Sequence, residues 1–190
     1  MKTLPWLLLV LHAPVVMGCN KSDSPTHTQA DSAAENVFSA SKTTAPEGAP
    51  ETAFDQQIKA LLPYYLTIQE KLAADTLEST REAAQALVKA FEQLKLTPAT
   101  GPNAESYATI AASSQAAAQK LAQSTKIDEA RQHFKSISKA ISLWARDHNV
   151  SGIDKVWCSM APGGWLQRSG PVRNPYYGAS MLECGEKMMN

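Results

Sequence analysis

Four sulfur-bearing side chains near the C-terminus have the types and spacing to hold an ion. Cys158 and Met160 lie in "WCSM", and Met181 and Cys184 in "SMLECG". No Met or Cys occurs between Cys19 and Cys158, whereas Met160, Met181, Met188 and Met189 all follow. In an extended segment Val156, Cys158 and Met160 point to one face and Trp157 to the other. A helical turn brings Met181 and Cys184 together, and Gly185 is placed to end it in the left-handed region. If the loop between the halves folds back, two thiolates and two thioethers converge. Soft sulfur ligands select Cu(I) or Ag(I), and thioethers are uncommon in structural zinc sites. Met188 and Met189 are additional candidate ligands or guards of the entrance, unless they form a frayed tail. His133 is a further candidate, although no partner stands at a zinc or dinuclear helix spacing from it. The competing reading is a Cys158–Cys184 disulfide, worth roughly 3–4 kcal/mol of loop closure, with Met160 and Met181 as apolar filler.

The segments that must position these sulfurs begin with an export signal. Lys2 precedes an apolar run over Leu4–Val16 that is too short and too broken for a spanning helix. "VVMGC" resembles a lipobox, so residues 1–18 are expected to be a lipoprotein signal peptide and Cys19 the acylated first mature residue. Several acyl chains together anchor stably. Asn20 rather than Asp follows the Cys, which in enteric-type bacteria favours the outer over the inner membrane. An exported location also permits a disulfide. The chain carries 18 basic and 18 acidic residues, and no basic patch that would suit nucleic acid. Residues 19–52, rich in Ser, Thr, Ala and Pro, read as a disordered tether.

From residue 53 the apolar spacing becomes helical. Phe54, Ile58, Leu61, Tyr65, Ile68 and Leu72 form one stripe, with Pro63 as its kink or its true first turn. Leu77, Ala84, Leu87, Val88, Phe91 and Leu94 form a second, behind Asp75 or Thr76 as cap. A third, Tyr107 to Leu121, is rich in Ala and Ser. The fourth runs from Ile127 through Phe134 to Trp144, with Asp128 as expected N-cap and His148 at the C-terminal, negative end of the dipole. The expected class is all-α: a four-helix antiparallel bundle over 53–149, with 150–190 as a turn-rich cap of the same domain. The cap's Trp157, Trp165, Tyr176 and Tyr177 supply buried area.

Beyond these patterns, "VWCSMAPGGW", "RNPYYGASMLECGE" and "ARQHFKSISKAI" carry a family resemblance. The chain resembles, over roughly residues 54–187, a bacterial domain of unknown function. That family occurs as small exported or lipoprotein domains and fused to periplasmic adaptors of Cus-type copper/silver efflux systems. By position, the resemblance implies Cys158, Met160, Met181 and Cys184 as metal-site residues. It implies that Asn174, Pro175, Tyr176 and Gly178 shape the turn presenting the second pair. Ser159 departs from the family, which often has Pro there.

No nucleophile–base pair, phosphate loop or acid–base carboxylate pair is legible, so no enzyme is expected. The expected function is a lipid-anchored, periplasm-facing Cu(I)/Ag(I) protein that sequesters the ion or passes it to an efflux adaptor. The alternative is a structural or interaction domain whose disulfide-stapled cap binds a protein partner.

Overall fold

The structure is a computed structural model that describes residues 51–94, 104–161 and 163–189. The signal-peptide expectation, Cys19 and nearly all of the tether lie outside the described residues. Four helices follow one another: α1 (Ala53–Ala73), α2 (Leu77–Leu94), α3 (Ala104–Gln123) and α4 (Ile127–Asp147). Three short strands complete the chain: β1 (Ile153–Cys158), β2 (Gly163–Arg168) and β3 (Glu186–Lys187). Among the described residues no helix is long and apolar enough to cross a membrane.

The chain is mostly helical, but the all-α expectation is corrected by an antiparallel sheet in the order β2-β1-β3. Its cause is local. "IDKVWC" carries the strand-favouring Ile153, Val156 and Trp157 and pairs with "GGWLQR", with Val156 opposite Trp165 and Cys158 opposite Gly163. Those glycines carry no apolar stripe, and the glycine- and proline-rich spacing hides the strands from a helical reading. β3 adds only two residues, with Val156 opposite Lys187 and Trp157 opposite Glu186.

The helical stripes are buried as their spacing predicts. Phe54, Ile58, Leu61, Tyr65, Ile68 and Leu72 of α1 are all in the core. They meet Ala84, Leu87 and Phe91 of α2, Ala118 and Leu121 of α3, and Phe134, Ile137 and Trp144 of α4. Leu166 of β2 joins the same cluster, so the sheet is packed onto the helices.

Helix ends differ in detail from expectation. Thr52 caps α1: its hydroxyl accepts from Asp55 N–H, and the Asp55 carboxylate takes the Thr52 N–H. Asp55 also accepts the indole N–H of buried Trp144 at 3.0 Å and lies 3.1 Å from His148 Nε2, tying the two ends of the helical layer. Pro63 sits inside α1 on its exposed side, rather than at its start. Thr76, not Asp75, precedes α2 in the cap position. Its carbonyl takes the Thr80 N–H, while its hydroxyl donates to Lys71 O of α1. Asp75 adopts a left-handed φ of 56° between the helices, a conformation Asp tolerates better than most residues. α4 begins at Ile127 with Lys126 as N-cap, so Asp128 lies in the first turn instead. Its carboxylate there is placed favourably for the helix dipole.

One hydroxyl joins the layers. Tyr65 O–H lies 2.9 Å from Ser138 Oγ of α4 and accepts the Leu166 N–H of β2 at 3.1 Å. Burial holds the phenol far above its ordinary range, so it stays neutral. Tyr65→Phe keeps the ring stack on Phe134 (5.1 Å between centroids) but strands a buried amide. The expected loss is about 1–3 kcal/mol in urea unfolding, with m unchanged.

Candidate sulfur site

Cys158 ends β1 and is 1% exposed. It shares the buried face with Val156, as alternation requires, and packs with Trp165 and Ala161. The chain then leaves the strand, so Met160 lies in the β1–β2 connection and is 61% exposed. Two contacts clamp that connection. Lys135 of α4 donates to Ala161 O at 2.6 Å, and Tyr177 O–H donates to Met160 O at 2.8 Å.

The second half is organised by Asn174, which is fully buried. Its Oδ1 accepts the N–H groups of Tyr176 (2.8 Å) and Tyr177 (3.3 Å). Its Nδ2 donates to Cys184 O at 2.7 Å, and its backbone N–H donates to Leu182 O at 2.7 Å. One side chain therefore forms the "NPYYG" turn and ties it to the segment bearing Cys184. Pro175 is buried at the same turn. Met181 and Cys184 are joined by a single turn, with Cys184 N–H donating to Met181 O at 3.1 Å.

The turn is fastened to the helices by Arg131 and Asp75. Arg131 donates to Pro175 O and Leu72 O, pairs with Asp128, and makes a very close pair with Asp75. Asp75 also accepts the Ala179 N–H at 2.8 Å. Gly178 has φ of 56°, and a Cβ there would run into Asp75 and Arg131. Tyr176 continues the linkage: its O–H donates to Gly164 O, and its ring meets Phe134 and, edge-on, Trp165.

The two halves meet. Cys158 Sγ and Cys184 Sγ stand 2.7 Å apart, both as free thiols. Neighbouring Cys158 raises the Cys184 thiol's pKa, first through their hydrogen bond and then with burial. Two thiolates sharing one ion at about 2.3 Å each stand roughly 3.8 Å apart at a tetrahedral angle. A disulfide needs about 2.05 Å. The pair therefore closes into a bond by a smaller movement than it opens around an ion. Among the described residues no three His, Cys, Asp or Glu side chains group to hold a metal.

Met188 and Met189 follow β3, and His133 lies on α4. Met188 N–H donates to Lys155 O, so the expected frayed tail is instead tied to β1 at that point. Lys155 lies three residues before Cys158, about 10 Å along a strand. Met189 beyond it is almost wholly exposed. His133 is half-buried on α4, two positions from both Arg131 and Lys135, whose side chains face the sheet and turn. That offset turns it to another side of the helix. Gly185 has a positive φ of 153° rather than the αL value of about 57°, so glycine suits both its backbone and the space around it. A Cβ there would strike Trp165 and Val156.

Sequence reasoning missed Arg131, Gln69 and Gln167, and saw in Asp75 only a candidate helix cap. Gln167 is buried and links Trp165 Nε1, Arg173 N and Pro171 O; Gln69 donates to Arg173 O. Gln69, a polar residue set among the apolar positions of α1, is the one signal that could have found any of them.

Acid tests this fastening. The Ala179 N–H, then Arg131, holds the Asp75 carboxyl below its ordinary value; Lys187, then Ser169 and the Gly170 N–H, does so for Asp154. Depressed folded values mean stability that is complete above the ordinary carboxylate range, near pH 4, and lost as pH falls through the lowered values. The expected result is a thermal midpoint that falls below about pH 4, with a shallower fall in Asp75→Asn.

Two thiols thus meet beside a small sheet carried by a mostly helical domain, with Met160 largely exposed and Met181 half-buried near them in sequence. Residues 61–151 match a family described as a protein of unknown function, DUF3347, so the chain carries an uncharacterised domain there. The matched stretch spans most of α1 through α4 and ends before β1. The search of curated proteins and the search of solved structures returned no match.

Proposed function

We propose that the protein binds a soft monovalent ion, Cu(I) or Ag(I), through Cys158 and Cys184, with Met160 and Met181 completing the sulfur shell. The observation that carries the reading is the meeting of two cysteines 26 residues apart, each followed or preceded by a methionine within one turn. Thiolate and thioether together are the donor set that prefers Cu(I) and Ag(I) over hard ions. In this reading the helices form an antiparallel four-helix bundle that serves as a rigid base. Cys19 is acylated, the domain faces the periplasm from the outer membrane, and the tether keeps it at high effective concentration near a copper/silver efflux adaptor. Ligand exchange between sulfurs hands over the ion, and no catalysis is involved.

Native mass spectrometry of the reduced full chain carrying Cys19→Ser tests this. One Cu(I) or Ag(I) is expected per chain, with none retained by Cys158→Ser/Cys184→Ser. Equal loading of wild type and the double variant overturns the proposal.

The short Sγ–Sγ separation favours a second reading, a disulfide-stapled cap that serves a protein partner. Intact mass before and after alkylation, on protein purified from the periplasm, separates the two. Two alkylated thiols support the ion site, and none supports the staple.

A further inference from the structure

The two thiols are adjacent but unequal. Cys158 is sealed beneath Val156, Ala161 and Trp165, while Cys184 is partly exposed on the segment leading to β3. A reagent larger than water reaches one sulfur and not the other. The second sulfur already lies within bonding reach of the first.

We infer that Cys184 is a thiol–disulfide exchange site for small or protein disulfides, with buried Cys158 as its resolving thiol. The Cys184 sulfur, losing its proton, attacks one sulfur of an external disulfide. The external S–S bond breaks, a Cys184 mixed disulfide forms, and one external thiol leaves with the proton. Cys158 then attacks Cys184 Sγ. The Cys158–Cys184 bond forms, the mixed disulfide breaks, and the second external thiol leaves with the Cys158 proton. The protein pair is oxidised by two electrons and the external disulfide is reduced to two thiols. The surroundings suit the second step. Asn174 holds the Cys184 carbonyl, so the mixed disulfide stays beside Cys158 rather than swinging away.

The exchange needs only the thiol pair. Its consequence rests on the proposed function: the same bond removes both thiolates from the ion site, so loading and oxidation exclude each other. Cu(I) held between the sulfurs therefore protects them.

The probe is oxidised glutathione with the reduced, metal-free full chain carrying Cys19→Ser. Acid quenching and peptide mass mapping follow the reaction. In otherwise wild-type protein an early glutathione adduct is expected on Cys184, then an intramolecular disulfide. Cys158→Ser should accumulate the Cys184 adduct. Cys184→Ser should react at Cys158 more slowly by about tenfold or more until denaturant is added. An early adduct on Cys158, or equal rates at the two cysteines in folded protein, overturns the inference; the wild-type mapping decides it even if a variant fails to fold. A final arm preloads Cu(I). Slower exchange supports the linkage to the ion site, whereas unchanged exchange leaves Cys184 as the exchange site and counts against the metal reading alone.

Discussion

With the pair holding Cu(I) as proposed, Cys184→Ser is expected to weaken Cu(I) binding by more than about a hundredfold, since even outer-shell changes at metal sites cost 10–100-fold. A hydroxyl is a hard, neutral donor, and its replacement of a thiolate removes both the charge and the softness that favour the ion. Cys158→Ser should lose as much affinity but also some stability, because it puts a hydroxyl into the cluster of Val156, Ala161 and Trp165. Cys184 is partly exposed, so its serine variant should unfold close to wild type. Met181→Leu keeps volume and loses only the thioether, and a smaller decline of about tenfold is expected. Competition for Cu(I) against a chromophoric chelator measures all four proteins, with chemical unfolding beside it. A Cys184→Ser protein that holds Cu(I) like wild type would show that the thiols do not bind the ion.

Asn174→Ala has the second large effect. The side chain makes three hydrogen bonds in a fully buried position, two from turn amides and one to Cys184 O. Truncation leaves those groups without partners and opens space beneath the turn, for an expected loss of about 2–4 kcal/mol. For a domain of this size that lowers the thermal midpoint by roughly 4–16 °C. The variant reports on function too. With Cys184 no longer tied to the turn, the sulfurs lose their alignment, and ion affinity falls although every sulfur remains. Asn174→Asp keeps the acceptor for Tyr176 and Tyr177 but loses the donor to Cys184 O, so it should lie between wild type and alanine. Full stability in Asn174→Ala would mean that the turn is held by Arg131 and Asp75 alone.

The helices were legible because a core stripe repeats every three or four residues, and Phe54 to Leu72 or Ala130 to Trp144 tolerates no other placement. The sheet was not. β1 alternates only over its last three residues, β2 opens on two glycines, and β3 has no side-chain pattern in two residues. Such strands exist through pairing between segments distant in sequence, which period alone cannot reveal. The site divides in the same way. That Cys158 and Cys184 come together was expected from sulfur clustering and spacing, and their sulfurs do stand side by side. What holds them could not be read there, because Arg131, Asp75 and Gln69 act on backbone carbonyls and amides 44 to 104 residues away. At Met188 it is the frayed-tail expectation that changes, because its backbone N–H extends the pairing with β1.

The central claim is that two thiolates and two thioethers form one soft-ion site. X-ray absorption at the copper edge of the Cu(I)-loaded, reduced full chain carrying Cys19→Ser tests it most directly. The expected spectrum has only sulfur in the first shell, at about 2.3 Å, and loses scatterers in Met160→Leu/Met181→Leu. Nitrogen or oxygen scatterers in place of sulfur, or a spectrum unchanged in the double methionine variant, would contradict it.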